Sequence, residues 1–230
     1  MEPNQIKIGL TASNQCSYLK DQQERVAVIL DPDLHTPSDY EVFLSNGFRR
    51  SGDTIYRPQC EQCQACQAIR VSIPNIKWSK SQKRLLNKAK HITWKLKTQL
   101  DDNWFNIYHL YIEARHKNGR MHPANKAVFE SFILSDWIQP QFIHVYDDNK
   151  LVAVAVTDCL PNSLSAFYTF YDPEHPLSLG TLCVLLQLKQ GQIMQKQWLY
   201  LGYQIDDCPA MNYKVRFQHH QKLVNQRWQG

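Results

Sequence analysis

The order of helical and strand patterns in residues 101–203 is the strongest constraint on the fold of this chain. Two segments with apolar residues at helical spacing come first, and three apolar segments rich in β-branched and aromatic residues follow them. A longer apolar helix pattern and one more strand pattern complete the region. The predicted helices cover residues 101–117, 124–134 and 178–195, and the predicted strands cover residues 142–146, 151–160, 163–171 and 198–203. This order predicts an α+β region built around a meander of three strands.

The first hundred residues carry a different mixture of patterns. Strand patterns cover residues 26–30, 68–73 and 92–97, and helix patterns cover residues 38–46 and 79–90. Pro37 suits the first turn of a helix and Gly47 suits the position just after its end, which delimits the first of these helices. We therefore expect an N-terminal mixed α/β domain with a Cys-rich segment at residues 1–100, and a second domain at residues 101–230.

Basic residues are concentrated in one tract of the chain. No Asp or Glu occurs between Glu61 and Asp101, although the net charge of the whole chain is only +5. Such a one-sided electrostatic field attracts a polyanion and makes its binding depend on salt. The residues that we expect to contact a nucleic-acid backbone are Arg49, Arg50, Arg57, Lys80, Lys83 and Arg84.

The seven cysteines raise the question of a metal site. Cys60, Cys63 and Cys66 follow a C-x2-C-x2-C spacing, and Cys16 also lies among polar residues. Four thiols can close a tetrahedral site for zinc or hold an iron–sulfur cluster, and C-x2-C is a common ligand spacing. They can equally be free thiols beside a basic surface, and disulfides are not expected in a reducing compartment. The sequence leaves both interpretations open.

The sequence carries neither a membrane-span pattern nor a secretion-signal pattern. No apolar run approaches the roughly 20 residues that are needed to cross a bilayer. The first residues include an acid at Glu2 and have no apolar core of the kind that a signal peptide requires. We therefore expect a cytoplasmic protein without a membrane partner.

The order of elements after residue 101 is typical of an N-acyltransferase core, in which a gap between two central strands admits an acyl donor and an amine. Acetyltransferases of this architecture bind coenzyme A on a glycine-rich turn, whereas the turn HPLSLGT has Gly180 as its only glycine. The helix N-terminus at Gly180 and Thr181 can still hold one phosphate through its free N–H groups. An aminoacyl-tRNA fits better, because its ester end can enter the core while its stem lies on the basic tract.

Three longer motifs, taken together, resemble one family. They are GFRRSGDTIYRPQCEQCQACQAIRV, YTFYDPEHPLSLGT and YLGYQIDDCPAMNYKVRF, and with Cys16 they extend over nearly the whole chain. In this order they are similar to motifs of the bacterial aspartate/glutamate leucyltransferases, which are prokaryotic relatives of the arginyl-tRNA–protein transferases. The resemblance implies transfer of leucine from leucyl-tRNA to the N-terminal amine of proteins beginning with Asp or Glu. The products would then be recognised by the N-degron degradation machinery.

The resemblance also bears on cofactors and on alternative functions. Eukaryotic relatives carry a C-G-Y-C pair that has been linked to an iron–sulfur cluster, whereas here Leu19 stands in the place of the second cysteine, so one ligand is missing. An aminoacyl ester is already activated, so the transfer chemistry needs no cofactor. The alternatives are an arginyl-tRNA–protein transferase, a non-catalytic RNA-binding protein with a structural metal site, and a coenzyme A-dependent acetyltransferase.

The implied reaction requires an amine to lose a proton and an oxyanion to be stabilised. Asp172, which follows an apolar strand and precedes Pro173, is the candidate for positioning and deprotonating the amine, although it can equally cap the turn. Tyr168 and Tyr203 are the candidates for donating a hydrogen bond to the oxyanion or for lining the aminoacyl pocket. Tyrosines in strands are also common core residues.

An acidic N-terminal residue in the acceptor requires a fixed cation. Arginine is favoured, because its guanidinium can hold a carboxylate with two hydrogen bonds. Arg115, His116 and Arg120 form one candidate cluster at the end of a predicted helix, and Lys214 and Arg216 lie in the last of the three motifs. Each of these side chains can instead be a surface charge or a tRNA contact.

Overall fold

A computed structural model describes residues 5–230, so Glu2, on which the expectation about the N-terminus rests, lies outside the described residues. The described part contains five α-helices and fourteen strands. The helices are α1 (Pro37–Ser45), α2 (Lys80–Lys88), α3 (Trp104–Arg115), α4 (Lys126–Ile133) and α5 (Leu179–Ile193). The strands of the first half are β1 (Ile8–Leu10), β2 (Asn14–Gln15), β3 (Gln23–Glu24), β4 (Val26–Ile29), β5 (Arg49–Ser51), β6 (Thr54–Pro58) and β7 (Gln67–Ser72). The others are β8 (Thr93–Lys97), β9 (Gln141–Asp147), β10 (Lys150–Cys159), β11 (Ser163–Tyr171), β12 (Trp198–Gln204), β13 (His220–Val224) and β14 (Arg227–Gln229).

The predicted elements agree closely with the observed ones. Each of the five predicted helices is present, and the predicted strands correspond to β4 and to β7 through β12. The expected α+β class is therefore confirmed. Seven strands were not predicted, namely β1, β2, β3, β5, β6, β13 and β14, because they are short, polar or both. None of the helices in residues 5–230 is long and apolar enough to span a membrane.

One eight-stranded sheet forms the centre of the molecule, in the order β14-β13-β7-β12-β11-β10-β9-β8. Helix α5 packs through Leu179, Leu182 and Leu186 on one face of the meander β9–β11. Helices α3 and α4 cover the opposite face, where Phe129 and Phe170 meet. The core therefore has two apolar layers, one on each side of the sheet, and the long apolar strand β10 is buried between them.

The strand β11 is paired with β12 over only a short distance. This is a parallel pair, and its partners extend from Ser163–Trp198 to Ser165–Tyr200. The ladder of β10 and β11 is interrupted by an irregularity after Val156, and the register of β12 with β7 shifts after Tyr200. Because pairing ends early in two longer strands, a gap opens between their C-terminal halves.

A four-stranded sheet in the order β1-β4-β6-β5 packs beside the large sheet. Its strand β5 begins with two consecutive arginines, whose side chains point to opposite faces of the strand. Arg49 reaches Ala166 in β11, and Arg50 reaches Asp158 in β10. The two arginines therefore attach the small sheet to two strands of the meander, β10 and β11.

The large sheet extends across residue 100. Strand β8 pairs with β9 at one edge, and β7 pairs with β12 near the middle, although both strands lie within the first hundred residues. The predicted boundary near residue 100 thus falls between strands of one sheet. The division of the chain into residues 1–100 and 101–230 stays a prediction.

Candidate active site

The gap between β11 and β12 contains the side chain of Arg49. Its Nη2 donates to the carbonyl oxygen of Ala166 at 3.0 Å, just beyond the last paired residues of β11. The guanidinium also lies against Gly202 of β12, whose φ of +81° favours glycine. Only 7% of Arg49 is exposed, and its Nη1 is buried without a hydrogen-bond partner in residues 5–230. Arg49 therefore presents an unused donor inside the gap.

Lys214 lies beside Arg49. It belongs to a short 3-10 helix at Asn212–Arg216, and its ammonium donates to the carbonyl oxygen of Tyr203. Its residue exposure is also 7%. Burial, and then the positive charge of Arg49, lower the pKa of Lys214 to about 7. Since the ordinary value is near 10.5, this lysine is held in a place that disfavours its charge.

The buried Lys214 should make stability depend on pH in an unusual direction. Above about pH 7 the folded chain has released this proton, whereas the unfolded chain holds it up to about pH 10.5. The unfolded state therefore binds more protons in this window, and the free energy of unfolding should rise with pH by up to about 1.4 kcal/mol per unit. Urea unfolding of the wild type and of Lys214→Met from pH 6.5 to 9.5 checks this. A wild type whose slope equals that of the variant would contradict the prediction.

Aromatic side chains form a wall where β11 ends, beyond the residues of β11 that pair with β12. The rings of Tyr111 and Tyr171 are 4.9 Å apart. Burial, and then the neighbouring hydroxyls of Tyr171 and Tyr213, raise the pKa of Tyr111. Gly180, in the first turn of α5, is where this wall meets the helix, since a Cβ there would lie 3.1 Å from the Tyr171 ring. The spacing of these tyrosines in the sequence gave no signal that Tyr111, Tyr171 and Tyr213 would meet.

His116 is directed towards this aromatic wall. Its Nε2 lies 3.2 Å from the hydroxyl of Tyr111. Burial, and then the charge of the exposed neighbour Arg115, lower the pKa of His116. The imidazole is therefore neutral at pH 7 and can accept a proton. Arg120, by contrast, forms an ion pair with Glu24 of β3 at 2.7 Å, so its guanidinium is engaged with the small N-terminal hairpin.

The three catalytic candidates lie in different surroundings. Tyr168 packs against Phe129 and Phe132 on the side of α3 and α4, and burial raises its pKa. The hydroxyl of Tyr203 donates to the carbonyl oxygen of Gly47 at 2.9 Å. Because a hydroxyl has a single proton to donate, Tyr203 does not donate to an oxyanion while it makes this hydrogen bond. Tyr203 contributes instead the carbonyl oxygen that accepts from Lys214. Its role at the oxyanion or in the aminoacyl pocket stays a prediction.

Asp172 lies where β11 ends. Its Oδ1 accepts from the backbone N–H of Glu174 at 3.1 Å, and its Oδ2 is 3.6 Å from the ammonium of Lys150. This is the turn-capping arrangement that the sequence left open. A direct role for Asp172 with the amine stays a prediction.

The expected nucleic-acid contacts divide into exposed and buried groups. Lys80, Lys83 and Arg84 are exposed on α2, whose N-terminus is closed by a capping box of Ser79 and Gln82. Beyond α2, Arg57 is half-buried over the ring of Phe48, and Arg216 is exposed.

The structure corrects the expected nucleic-acid contacts at Arg49 and Arg50, because both side chains are buried. Arg50 is fully buried, with its guanidinium bonded to both carboxylate oxygens of Asp158 at 3.0 and 2.6 Å. Arg49 is buried in the gap between β11 and β12. Neither side chain is placed to contact a phosphate on the outer surface, because strand β5 directs both arginines into the interior.

A shallow depression of about 180 Å³ connects the basic helix α2 with the start of α5. Arg84 and Lys88 line it from α2, and Pro176, Leu177 and Ser178 line it from the turn before α5. The sequence-predicted contacts Gly180 and Thr181 follow immediately in the first turn of that helix. A basic surface is thus continuous with a helix N-terminus, which is a favourable place for an anion.

The cysteine segment does not form a metal-ligand set in the described part of the chain. All seven cysteines are free thiols, and no group of three or more Cys, His, Asp or Glu in residues 5–230 is arranged to hold a metal ion. Cys66 is nevertheless close to the other three polar-segment thiols, since burial and then Cys60, Cys16 and Cys63 raise its pKa to about 12. A metal or cluster at these cysteines stays a prediction.

Comparison with known proteins defines the class first. The family model described as "Arginine-tRNA-protein transferase, N terminus" matches residues 14–84, and the model for the C terminus of the same family matches residues 103–224. The chain thus belongs to the aminoacyl-tRNA–protein transferases.

Individual relatives define the family more closely. The chain is 60% identical over 227 residues to an aspartate/glutamate leucyltransferase of Vibrio vulnificus. The aligned residues cover 99% of this chain and 98% of the relative. Relatives with the same description occur in Vibrio cholerae, at 60% identity over 98% of this chain and 97% of the relative, and in Shewanella oneidensis, at 47% over 97% and 94%. The chain belongs to the aspartate/glutamate leucyltransferase family. Among solved structures, L-PGS from Bacillus licheniformis has a TM-score of 0.49 and 9% identity over 62% of this chain and 48% of its own.

Proposed function

We propose that this protein transfers leucine from leucyl-tRNA to the N-terminal amine of proteins that begin with Asp or Glu. The observation that carries the proposal is the 60% identity, over nearly the full length of both chains, to proteins described as aspartate/glutamate leucyltransferases. The products would be substrates for the N-degron recognition machinery. The cation-lined gap between β11 and β12 supports the same proposal, because the reaction needs a place where an amine and an ester meet.

The topology supports an N-acyltransferase-like core in the C-terminal part. Two helices, α3 and α4, precede the meander β9–β11, and α5 then leads to β12, which is parallel to β11. A parallel pair that separates after a few residues leaves an opening at the middle of the sheet, towards which loops and helix termini converge. In this proposal the leucyl ester and the acceptor amine occupy that opening.

The chemistry requires no covalent intermediate and no cofactor. The acceptor nitrogen forms a bond to the carbonyl carbon of the leucyl ester, and the bond from that carbon to the ribose oxygen breaks. The attacking nitrogen releases one proton, and the ribose oxygen takes up a proton. The ammonium must first lose a proton, because only the neutral amine is a nucleophile. Holding the two reactants together supplies most of the acceleration, since it replaces a bimolecular encounter.

Residues near the aromatic wall are proposed to handle the proton and the oxyanion. His116 is suited to accept the ammonium proton, because its lowered pKa keeps the imidazole neutral at pH 7. Tyr168 remains a candidate donor to the oxyanion, and Asp172 remains a candidate for positioning the amine from the end of β11. The leucine side chain requires an apolar surface, which the rings of Tyr111 and Tyr171 can provide.

The tRNA is proposed to approach along α2. Its phosphates would contact the exposed Lys80, Lys83 and Arg84, and its acceptor end would cross the depression beside Ser178 to reach Gly180 and Thr181. This path joins the basic tract to the N-terminus of α5 and to Tyr171, which packs against Gly180.

The assignment predicts selectivity for both substrates. Purified protein incubated with radiolabelled leucyl-tRNA should modify peptides beginning with Asp or Glu and leave peptides beginning with Ala unmodified. The same reaction with arginyl-tRNA should be weak, and acetyl-coenzyme A should give no product. Preferred use of arginyl-tRNA would identify an arginyltransferase instead. Binding of tRNA without any transfer would favour the non-catalytic RNA-binding alternative.

A further inference from the structure

Arg49 and Lys214 are two adjacent buried basic side chains without a counterion. In residues 5–230 neither has a carboxylate oxygen within 4.0 Å. Their hydrogen bonds go to neutral groups, namely the carbonyl oxygens of Ala166 and Tyr203 and the sulfur of Met211. Burying an uncompensated charge is strongly unfavourable, and two like charges side by side add repulsion. This cost lowers the pKa of Lys214 to about 7, and an anion from outside the chain would remove the cost for both side chains.

The neighbours of this pair cannot supply the anion. Tyr56, Tyr203 and Cys66 lie near the two side chains, and burial raises the pKa of each, so all three are neutral at pH 7. The other neighbour of Lys214 is the thiol of Cys208, which is not a carboxylate. Two carboxylates lie a little further away. Glu24 is paired with Arg120, and Asp158 is paired with Arg50. The protein thus neutralises the surrounding charges in pairs and leaves the two cations of the gap open.

We infer that Arg49 and Lys214 bind the side-chain carboxylate of the acidic first residue of the acceptor protein. The inference rests on the proposed leucine transfer and assigns the residues that recognise its acceptor. Arg49 is held through Nη2 by Ala166, so Nη1 is left with a fixed direction and no partner. Lys214, which is partly protonated at neutral pH because its pKa is about 7, supplies the second positive charge from the 3-10 helix once a carboxylate lies beside it. A carboxylate between them would accept hydrogen bonds from Arg49 Nη1 and from the Lys214 ammonium, and its negative charge would offset the repulsion between the two side chains.

The burial of the pair favours a carboxylate over a tRNA phosphate. At 7% exposure each, both side chains are buried, so a phosphate held on the outer surface does not contact them. The exposed lysines of α2 offer phosphates a more accessible surface. An Asn or Gln side chain has the right shape but carries no charge, so it would leave the buried cations uncompensated. This assignment differs from the predicted cluster at the end of α3, where Arg120 is already paired with Glu24.

The test compares Arg49→Gln and Lys214→Met with a matched control, Arg25→Gln, whose arginine is paired with the exposed Glu61. For each protein, kcat/KM for leucine transfer is measured on peptides that begin with Asp, Asn or Ala. We expect both gap variants to lower the Asp:Asn ratio by about 100-fold or more, because a site that loses its charge no longer separates the acid from the amide. The dissociation constant for leucyl-tRNA should stay within about twofold. The control should keep the wild-type ratio.

A binding experiment separates this inference from the proposed activity. The dipeptide Asp-Ala should raise the Tm of the wild type, Asn-Ala should not, and the shift should disappear in Lys214→Met, whose fold is checked by circular dichroism. If the wild type transfers no leucine but shows this selective shift, the proposed function fails and the carboxylate site stands. If the gap variants keep the Asp:Asn ratio and instead weaken leucyl-tRNA binding, the anion is a phosphate and the inference is wrong. An unchanged ratio in both variants would also overturn it.

Discussion

Replacing Arg50 by alanine is expected to lower the free energy of unfolding by about 3–5 kcal/mol, which is a large part of the stability of an ordinary domain. Arg50 and Asp158 are both fully buried, and two hydrogen bonds join them. The guanidinium also donates to the carbonyl oxygen of Ile133 and stacks on the ring of Phe167. Removing it leaves the Asp158 carboxylate buried without a partner, and it takes away one of the two arginine attachments between β5 and the large sheet.

Urea denaturation followed by circular dichroism measures this loss. Arg25→Ala is the control, because Arg25 pairs with Glu61, whose side chain is 69% exposed, and such surface pairs contribute about 0–1 kcal/mol. The double variant Arg50→Met with Asp158→Leu should recover much of the loss, since it removes both charges together. A loss below about 1 kcal/mol for Arg50→Ala would show that the ion pair does not hold the two sheets together.

Reversing three charges on α2 is expected to weaken leucyl-tRNA binding by roughly two to three orders of magnitude at moderate salt. The variant combines Lys80→Glu, Lys83→Glu and Arg84→Glu, all at exposed positions without an ion-pair partner in residues 5–230. Each phosphate contact that forms on binding releases counterions, and the variant forms fewer such contacts. The slope of log K against log salt should therefore become flatter by about one per residue.

Filter binding at several salt concentrations measures both the affinity and the slope. The control reverses Lys7, Lys20 and Lys126, which are also exposed and change the net charge by the same amount. Thermal unfolding should show that α2 remains folded, because its buried contacts come from Gln82, Leu85 and Leu86 rather than from the basic residues. Equal losses in the two triple variants would indicate a diffuse electrostatic attraction instead of a binding surface on α2.

The amino-acid sequence alone determined the secondary structure of the core and the family. The helices α3 and α5 and the strands β9–β11 were predictable because apolar spacing reflects which face of an element is buried. Strand β5 was not predictable, because a three-residue strand that consists of Arg-Arg-Ser has no apolar alternation. Its neighbours in space, and not its own side chains, make it a strand.

The tertiary structure alone decided what the charged residues do. Arg49 and Arg50 are identical and adjacent, and the sequence assigned both to the same nucleic-acid surface. Strand geometry sends them to opposite faces, and the partners on those faces come from β10 and β11, more than a hundred residues away. Arg50 meets the carboxylate of Asp158, whereas Arg49 meets only a carbonyl oxygen and the ammonium of Lys214. Whether a charged side chain has a partner depends on which groups, distant in the chain, the fold brings within a few ångströms of it. The residues next to it in the sequence do not show which groups these are.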